Sequence, residues 1–379
     1  MPALLLYGDT ERSAALRHEV PIAILDPLLY AETGGRSFIC ASALETERLR
    51  EALPDAELID QAELGFFELL RSGMPRDEVE LEIVSRAVKQ AGVGEAIVDF
   101  DFPLGLAERL RADGVKLTVD DLSVRQRRRA KNDAELAGIR RAQVAAQAGM
   151  AAVAALLSRA DPLDGTLHVN GGPLLAEEVR ATLREACQAA GAPAPPDVIV
   201  SSAWQGTGHD PGAGPLPAGL PIHVDVWPCD EASGCWADMA RTFVTGGEPP
   251  EEVLRQERLV LEVLEKVRST ARPGVRGKEL HNMACEVFER EGYRTQRTGP
   301  GEHRSEGFQF SLGHGVGLRV HEDPNVGLAG DAPLVEGDVV AIEPGLWMRD
   351  VGGVCFEDLL LITSDGCETL TAFPYDLAP

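Results

Sequence analysis

Residues 311–324 read SLGHGVGLRVHEDP, with His314 and His321 seven positions apart among Gly313, Gly315 and Gly317. Glycine lets a backbone take positive φ and come close to a ligand, so this segment is suited to imidazoles that face something small. Alternation predicts a strand-like path from Val316 to His321. An odd separation on a regular strand puts the two rings on opposite faces, so a glycine-rich bend must re-aim one of them.

Working outward, residues 222–227 (IHVDVW) and 235–244 (CWADMARTFV) read as two strands joined by PCDEASG, a hairpin-loop composition. Each carries one aspartate, Asp225 and Asp238, and their midpoint falls inside that loop. A simple hairpin therefore sets the two carboxylates side by side. Like charges directly opposite destabilise a sheet, so such a pair needs a cation or a shared proton. The apolar neighbours Val224, Val226, Met239 and Phe243 favour burial over a solvated face.

The pattern repeats nearer the C-terminus. Residues 339–345 (VVAIEPG) and 354–363 (VCFEDLLLIT) carry Glu343 and Glu357, centred on the turn MRDVGG. Two carboxylate pairs and one imidazole make an oxygen-rich set of five donors. That set suits hard to borderline divalent ions, Mn²⁺, Co²⁺, Fe²⁺ or Zn²⁺, and two ions are needed to neutralise four carboxylates. Strand counting also puts Cys355 on the face of Glu357, opposite Gly345. By the same counting Trp227 faces Trp236 on the side of Asp225 and Asp238. Cys355, Trp227 and Trp236 are thus the expected pocket walls, with an inert buried thiol as the alternative for Cys355.

Composition narrows the class. The 379 residues exceed one ordinary domain, and two are expected, 1–123 and 124–379. A formal net charge of −25 disfavours nucleic acid and anionic membrane surfaces as partners. Seven scattered cysteines without a CxxC pair suggest a reducing, cytoplasmic setting. The N-terminus lacks a signal-peptide pattern, and the Ala-rich run at 142–157 is too polar to span a membrane.

Residues 1–120 read as a compact α/β unit, with strands at 3–7, 22–25, 37–41 and 96–100 and helices at 42–53 and 76–90. The basic run RQRRRAKNDAEL from Arg125 reads as a solvated helix start at a domain junction. Helices are expected from Asn132 to Leu157 and from Leu174 to Ala190, followed by a strand at 198–201.

In the order Asp225, Asp238, His314, Glu343, Glu357, the phrases VDVWPCDEASGCWADMARTF, SLGHGVGLRVHEDP, EPGLW and GGVCFED resemble the pita-bread superfamily of methionine aminopeptidases, prolidases, Xaa-Pro aminopeptidases and creatinase. The resemblance implies an α+β protein: a small α/β creatinase-type N-terminal domain, then a pita-bread metallopeptidase domain of pseudo-twofold αβ halves around a curved antiparallel sheet. It implies that Asp225 ligates one metal, His314 and Glu343 the other, and that Asp238 and Glu357 bridge them. Mn²⁺ or Co²⁺ are the leading metals, with Zn²⁺ and Fe²⁺ as alternatives. His321 resembles the family's substrate-facing histidine, and His209, sixteen residues before Asp225, the upstream pocket histidine. Glu343 doubles as general base, and a metal-bridging hydroxide is the implied nucleophile.

The two-domain arrangement with all five donors resembles the proline-specific branch. It implies a cytoplasmic homodimeric exopeptidase, either Xaa-Pro dipeptidase or aminopeptidase P, for small peptides with proline second. Two positions depart from the branch: Trp227 replaces a small residue, and Cys355 stands where many members carry arginine. A non-peptidase C–N hydrolase of creatinase or ectoine-hydrolase type stays open as the alternative.

Overall fold

The computed structural model describes residues 2–202 and 210–379. The chain forms two compact units, Met1–Arg128 with Ala232–Gly234, and Arg129–Glu231 with Cys235–Pro379.

The first unit is built on a six-stranded mixed sheet of β1 (Ala3–Gly8), β2 (Leu28–Thr33), β3 (Arg36–Ala41), β4 (Glu57–Asp60), β5 (Glu95–Val98) and β6 (Lys116–Val119), in the order β4-β3-β2-β1-β5-β6. Alternating side chains feed two cores. Leu5, Leu29 and Ala31 lie in one, together with Val79, Ile83 and Ala87 of helix α1 (Arg76–Gln90), while Leu4, Leu6, Leu28 and Tyr30 lie in the other. The strand expected at 22–25 is absent. That segment is irregular, and Thr10 satisfies it by donating to the Ile22 carbonyl at 2.7 Å and accepting from the Ile24 amide at 2.7 Å.

The second unit has two αβ halves. In the first, α2 (Asp133–Leu157) and α3 (Ala176–Ala189) cover the antiparallel sheet of β7 (Ile199–Ser202), β8 (Ile222–Val226) and β9 (Met239–Phe243). A capping box starts α2: the Asn132 side chain accepts from the Glu135 amide and the Glu135 carboxylate accepts from the Asn132 amide, both at 2.9 Å. In the second half, α4 (Glu251–Thr270) and α5 (Gly277–Arg290) cover a five-stranded antiparallel sheet. Its strands are β10 (Gly313–Gly315), β11 (Glu322–Val326), β12 (Val339–Ile342), β15 (Asp358–Ile362) and β16 (Cys367–Thr369), in the order β11-β10-β12-β15-β16, with the hairpin β13 (Gly345–Met348) and β14 (Gly352–Cys355) beside it.

Each long strand read from the sequence is broken in the middle. Residues 235–244 split around Asp238, 339–345 around Glu343, and 354–363 around Glu357. At two of the breaks the backbone finds partners outside its own hairpin: the Glu343 amide donates to Leu312 (2.9 Å) and the Glu357 amide to Ala240 (3.0 Å). The second of these bonds ties the two halves together.

Three expectations change. Residues 316–321 form an irregular bend, not a strand. Gly313 and Gly315 do not use positive φ. They are needed for close packing: a Cβ at Gly313 would lie 1.9 Å from the Ala341 oxygen, and one at Gly315 would lie 2.2 Å from the Asp323 oxygen. The basic run is only partly solvated. Arg129 is buried on Asp338 (Nε–Oδ1 3.0 Å) and donates to the Pro333 carbonyl, and Lys131 is buried on Glu322.

Arg241 of β9 backs the junction of the halves and is 1% exposed. Its guanidinium meets Asp358 (2.9 Å) and donates to the carbonyls of Ala240 and Glu357 (2.8 Å each), Pro374 (2.9 Å) and Phe373 (3.1 Å). Removing one partner of a buried charged network costs about 3–5 kcal/mol. Arg241→Met is therefore expected to lower unfolding stability by that amount in denaturant titrations, whereas a loss below about 1 kcal/mol, the scale of a surface pair, would show the network to be dispensable.

Candidate functional site

Asp225 is the one acidic member of the cluster that sits inside an unbroken strand. In β8 the residues His223 and Asp225 share a face, because side chains alternate. Register differs from the simple hairpin by two residues: Asp225 pairs with Ala240, and Cys229 with Trp236. The turn is the four-residue segment 231–234, closed by Gly234 at φ +74°, which moves its centre one residue along the chain. Asp238 is consequently diagonal to Asp225, not opposite it, and Trp227 does not face Trp236. Trp227 packs on the core of the first half and Trp236 on a separate cluster with Ala237 and Val316. Neither lines the cavity described below.

The second hairpin keeps the counted register through both of its segments, from Val339↔Leu361 to Gly345↔Cys355. Glu343 and Glu357 occupy matching positions at the two breaks, where released backbone lets both carboxylates turn toward β8 and β10.

The donors converge. Asp225, Asp238 and Glu357 form one group that could hold a cation, His314, Glu343 and Glu357 a second, and Asp238, His314 and His321 a third, with each group's ligand atoms within 4.8 Å of one another. The His314 Nε2 atom is 3.7 Å from both Asp238 Oδ2 and Glu343 Oε1, too long for hydrogen bonds. Its Nδ1–H donates to the Gly315 carbonyl at 3.1 Å, which leaves the Nε2 lone pair aimed at the carboxylates. His321 stacks edge-on against His314, with centroids 4.2 Å apart. His209 lies outside the described residues.

Electrostatics makes the cluster costly as bare protein. Burial pushes Asp225 up to about 7. Burial, then the Asp225 charge, pushes Glu343 up to about 8. Asp238 and Glu357 are driven well above the carboxylate range by burial and then by their acidic neighbours. Burial, then His321, lowers His314 to about 4, so its imidazole is neutral. The buried Oδ1 of Asp225 has no hydrogen-bond partner. An orphaned carboxylate oxygen, three further carboxylates and a neutral imidazole fit divalent cations.

A cavity of about 640 Å³ opens on this cluster, lined by His223, Asp225, His314, His321, Glu343 and Cys355 among others. Its aromatic wall is Phe310 and Trp347, edge to face at 5.3 Å, with His223 edge to face on Trp347 at 5.6 Å. These three residues were not singled out from the sequence, although alternation within IHVDVW and GLW puts His223 on the face of Asp225 and Trp347 on the face of Gly345. Cys355 lines the cavity opposite Gly345 but is 3% exposed, and its Sγ–H points at the Glu343 carbonyl (3.7 Å). Burial, then the Glu343 and Glu357 charges, holds the thiol well above its usual range, which disfavours the thiolate.

Comparison with known proteins agrees with this geometry. Residues 137–364 match metallopeptidase family M24. An Xaa-Pro dipeptidase of Pyrococcus horikoshii is 41% identical over 135 residues, 36% of this chain and 35% of that relative, so the chain spans about a third of its length in the match. The fold is that of the X-Pro aminopeptidase from Thermotoga maritima (TM-score 0.78, 22% identity, covering 99% of this chain and 97% of that one). The prolidase from P. horikoshii is similar (TM-score 0.76, 24% identity, covering 100% of this chain and 95% of that one). The chain belongs to metallopeptidase family M24, with the pita-bread fold and the divalent-metal dependence that this family implies.

Proposed function

We propose that the protein is a metal-dependent exopeptidase that cleaves the bond preceding proline in short peptides, and that dipeptides are its preferred substrates. The observation that carries the reading is the convergence of Asp225, Asp238, His314, Glu343 and Glu357, of which Asp225, His314 and Glu343 line a cavity walled by Phe310 and Trp347. The Xaa-Pro dipeptidase relative supports the substrate class. We further infer a pair of ions, Mn²⁺ or Co²⁺ foremost, that Asp225, Asp238, His314, Glu343 and Glu357 would hold between them. A cytoplasmic homodimer is part of the same proposal; no helix among the described residues is long and apolar enough to cross a membrane.

When bound, divalent ions supply positive charge that offsets the carboxylates and polarises water and the scissile carbonyl. The chain's own groups do the rest. Glu343 takes a proton from the attacking water and returns it to the leaving imino nitrogen. The exposed edge of His321 donates to the oxygen on which charge develops. The proline ring has no N–H to recognise, so the faces of Phe310 and Trp347 hold it by burial and shape.

Arg304 supports the dipeptide preference. Among the described residues lining the cavity it is the one arginine or lysine, and it makes no ion pair or hydrogen bond among the described residues. A substrate ending at proline carries its carboxylate there, away from the acidic floor.

Three outcomes are expected. Asp238→Asn and Glu357→Gln should each reduce bound metal and abolish activity, and metal added to chelator-stripped wild type should raise the melting temperature in a concentration-dependent way; full activity under chelator would contradict the assignment. His321→Ala should lower kcat by about 10²–10³ with little change in KM, and a pure KM effect would remove it from the transition state. Arg304→Ala should raise KM for an Xaa-Pro dipeptide by about 10–100-fold while leaving the corresponding Xaa-Pro amide unchanged. An equal effect on both substrates would rule out carboxylate recognition by Arg304.

A further inference from the structure

Lys131 and Glu322 form an ion pair in which the two side chains are 2% and 3% exposed. Neither belongs to the cation-binding cluster. An enclosed pair of this kind gains little net stability, because desolvation offsets the attraction, and well-packed apolar replacements are often as stable. Its retention calls for a geometric reason, and its surroundings give one.

Glu322 opens β11 and directly follows His321. The preceding residues 316–321 have no ladder to fix them. Lys131, in turn, is held on the other side: its amide donates to the Gly337 carbonyl at 3.2 Å, and two residues earlier Arg129 is buried on Asp338. Gly317 is packed into the pair, since a Cβ there would lie 2.5 Å from the Glu322 carboxylate and 2.7 Å from Lys131 Cε. The Gly317 carbonyl accepts from the Trp236 amide at 2.8 Å. The bend that carries His321 is thus pinned at its start by Gly317 and at its end by Glu322, and both pins close on Lys131.

We propose that the Lys131–Glu322 pair positions His321: it fixes the end of the 316–321 bend so that the imidazole is held against His314 and over the cavity. Lys131 and Glu322 touch no reacting atom and act through His321. The inference rests on the proposed role of His321 for its kinetic part and on geometry alone for its structural part.

The test compares Lys131→Met, Glu322→Leu and the double variant Lys131→Met/Glu322→Leu, each in wild-type and His321→Ala backgrounds. The double variant buries no lone charge, so it should fold with a melting temperature near wild type even if the single variants do not. With an Xaa-Pro dipeptide and Mn²⁺, its kcat should fall about 10–100-fold, the scale of a displaced catalytic group, with KM and bound metal nearly unchanged. In the His321→Ala background the same change should have no further effect. Nitrogen-15 NMR of the histidine rings should show the His321 resonances shifted and broadened and those of His18, in the first unit, unmoved. Wild-type kcat in a folded double variant, an equal loss in both backgrounds, or unmoved His321 resonances would each overturn the proposal. Absence of Xaa-Pro turnover in wild type would instead defeat the proposed function, and the NMR result would still decide the positioning.

Discussion

Four carboxylates that have lost their water and crowd together in the protein interior repel, and the fold must either supply counter-charge or keep protons on them. Asp225, Asp238, Glu343 and Glu357 are in this position, and the neutral His314 offers them a lone pair rather than a charge. Bound cations would offset the repulsion and would also satisfy the orphaned Asp225 oxygen. The remainder of the second unit can be understood as a frame that holds these groups together against their mutual repulsion.

That frame works through interruption. A regular strand would alternate its side chains and keep its amides in the ladder, whereas Asp238, Glu343 and Glu357 all sit where a ladder stops. The Glu343 and Glu357 amides leave their own hairpin, and one of them bonds to the other half of the unit. Behind them Arg241 gathers carbonyls from both halves and the Asp358 carboxylate. Thr242 adds a second stitch, donating to the Cys355 carbonyl and accepting from the Cys355 amide at 3.2 and 3.0 Å. The junction is thereby cross-linked at the point where the proposed metal ligands project.

Much of this was legible in the sequence, and the reasons differ by residue. The Glu343–Glu357 hairpin could be counted because its turn is symmetric about the midpoint, and Gly345 opposite Cys355 followed from it. The Asp225–Asp238 hairpin could not, because a left-handed Gly234 shifts the turn by a two-residue change of register that keeps both carboxylates on one face but unpairs Trp227 from Trp236, and the two tryptophans pack on separate clusters. The burial of Arg129 and Lys131 was illegible for another reason. Their partners Asp338 and Glu322 lie 209 and 191 positions away, and a basic run carries no local mark of such distant acids. The breaks at Asp238 and Glu357 were hidden as well, whereas Pro344, which has no N–H to give a ladder, marks the one at Glu343.

The most direct measurement is a crystal structure of the protein grown with Mn²⁺, using anomalous diffraction to locate the ions. Two anomalous peaks are expected, each touching both Asp238 and Glu357, with Asp225 on one side and His314 with Glu343 on the other. A fully ordered cavity without anomalous density at saturating Mn²⁺, or ions bound elsewhere while these carboxylates remain protonated and hydrogen-bonded to one another, would contradict the proposed centre.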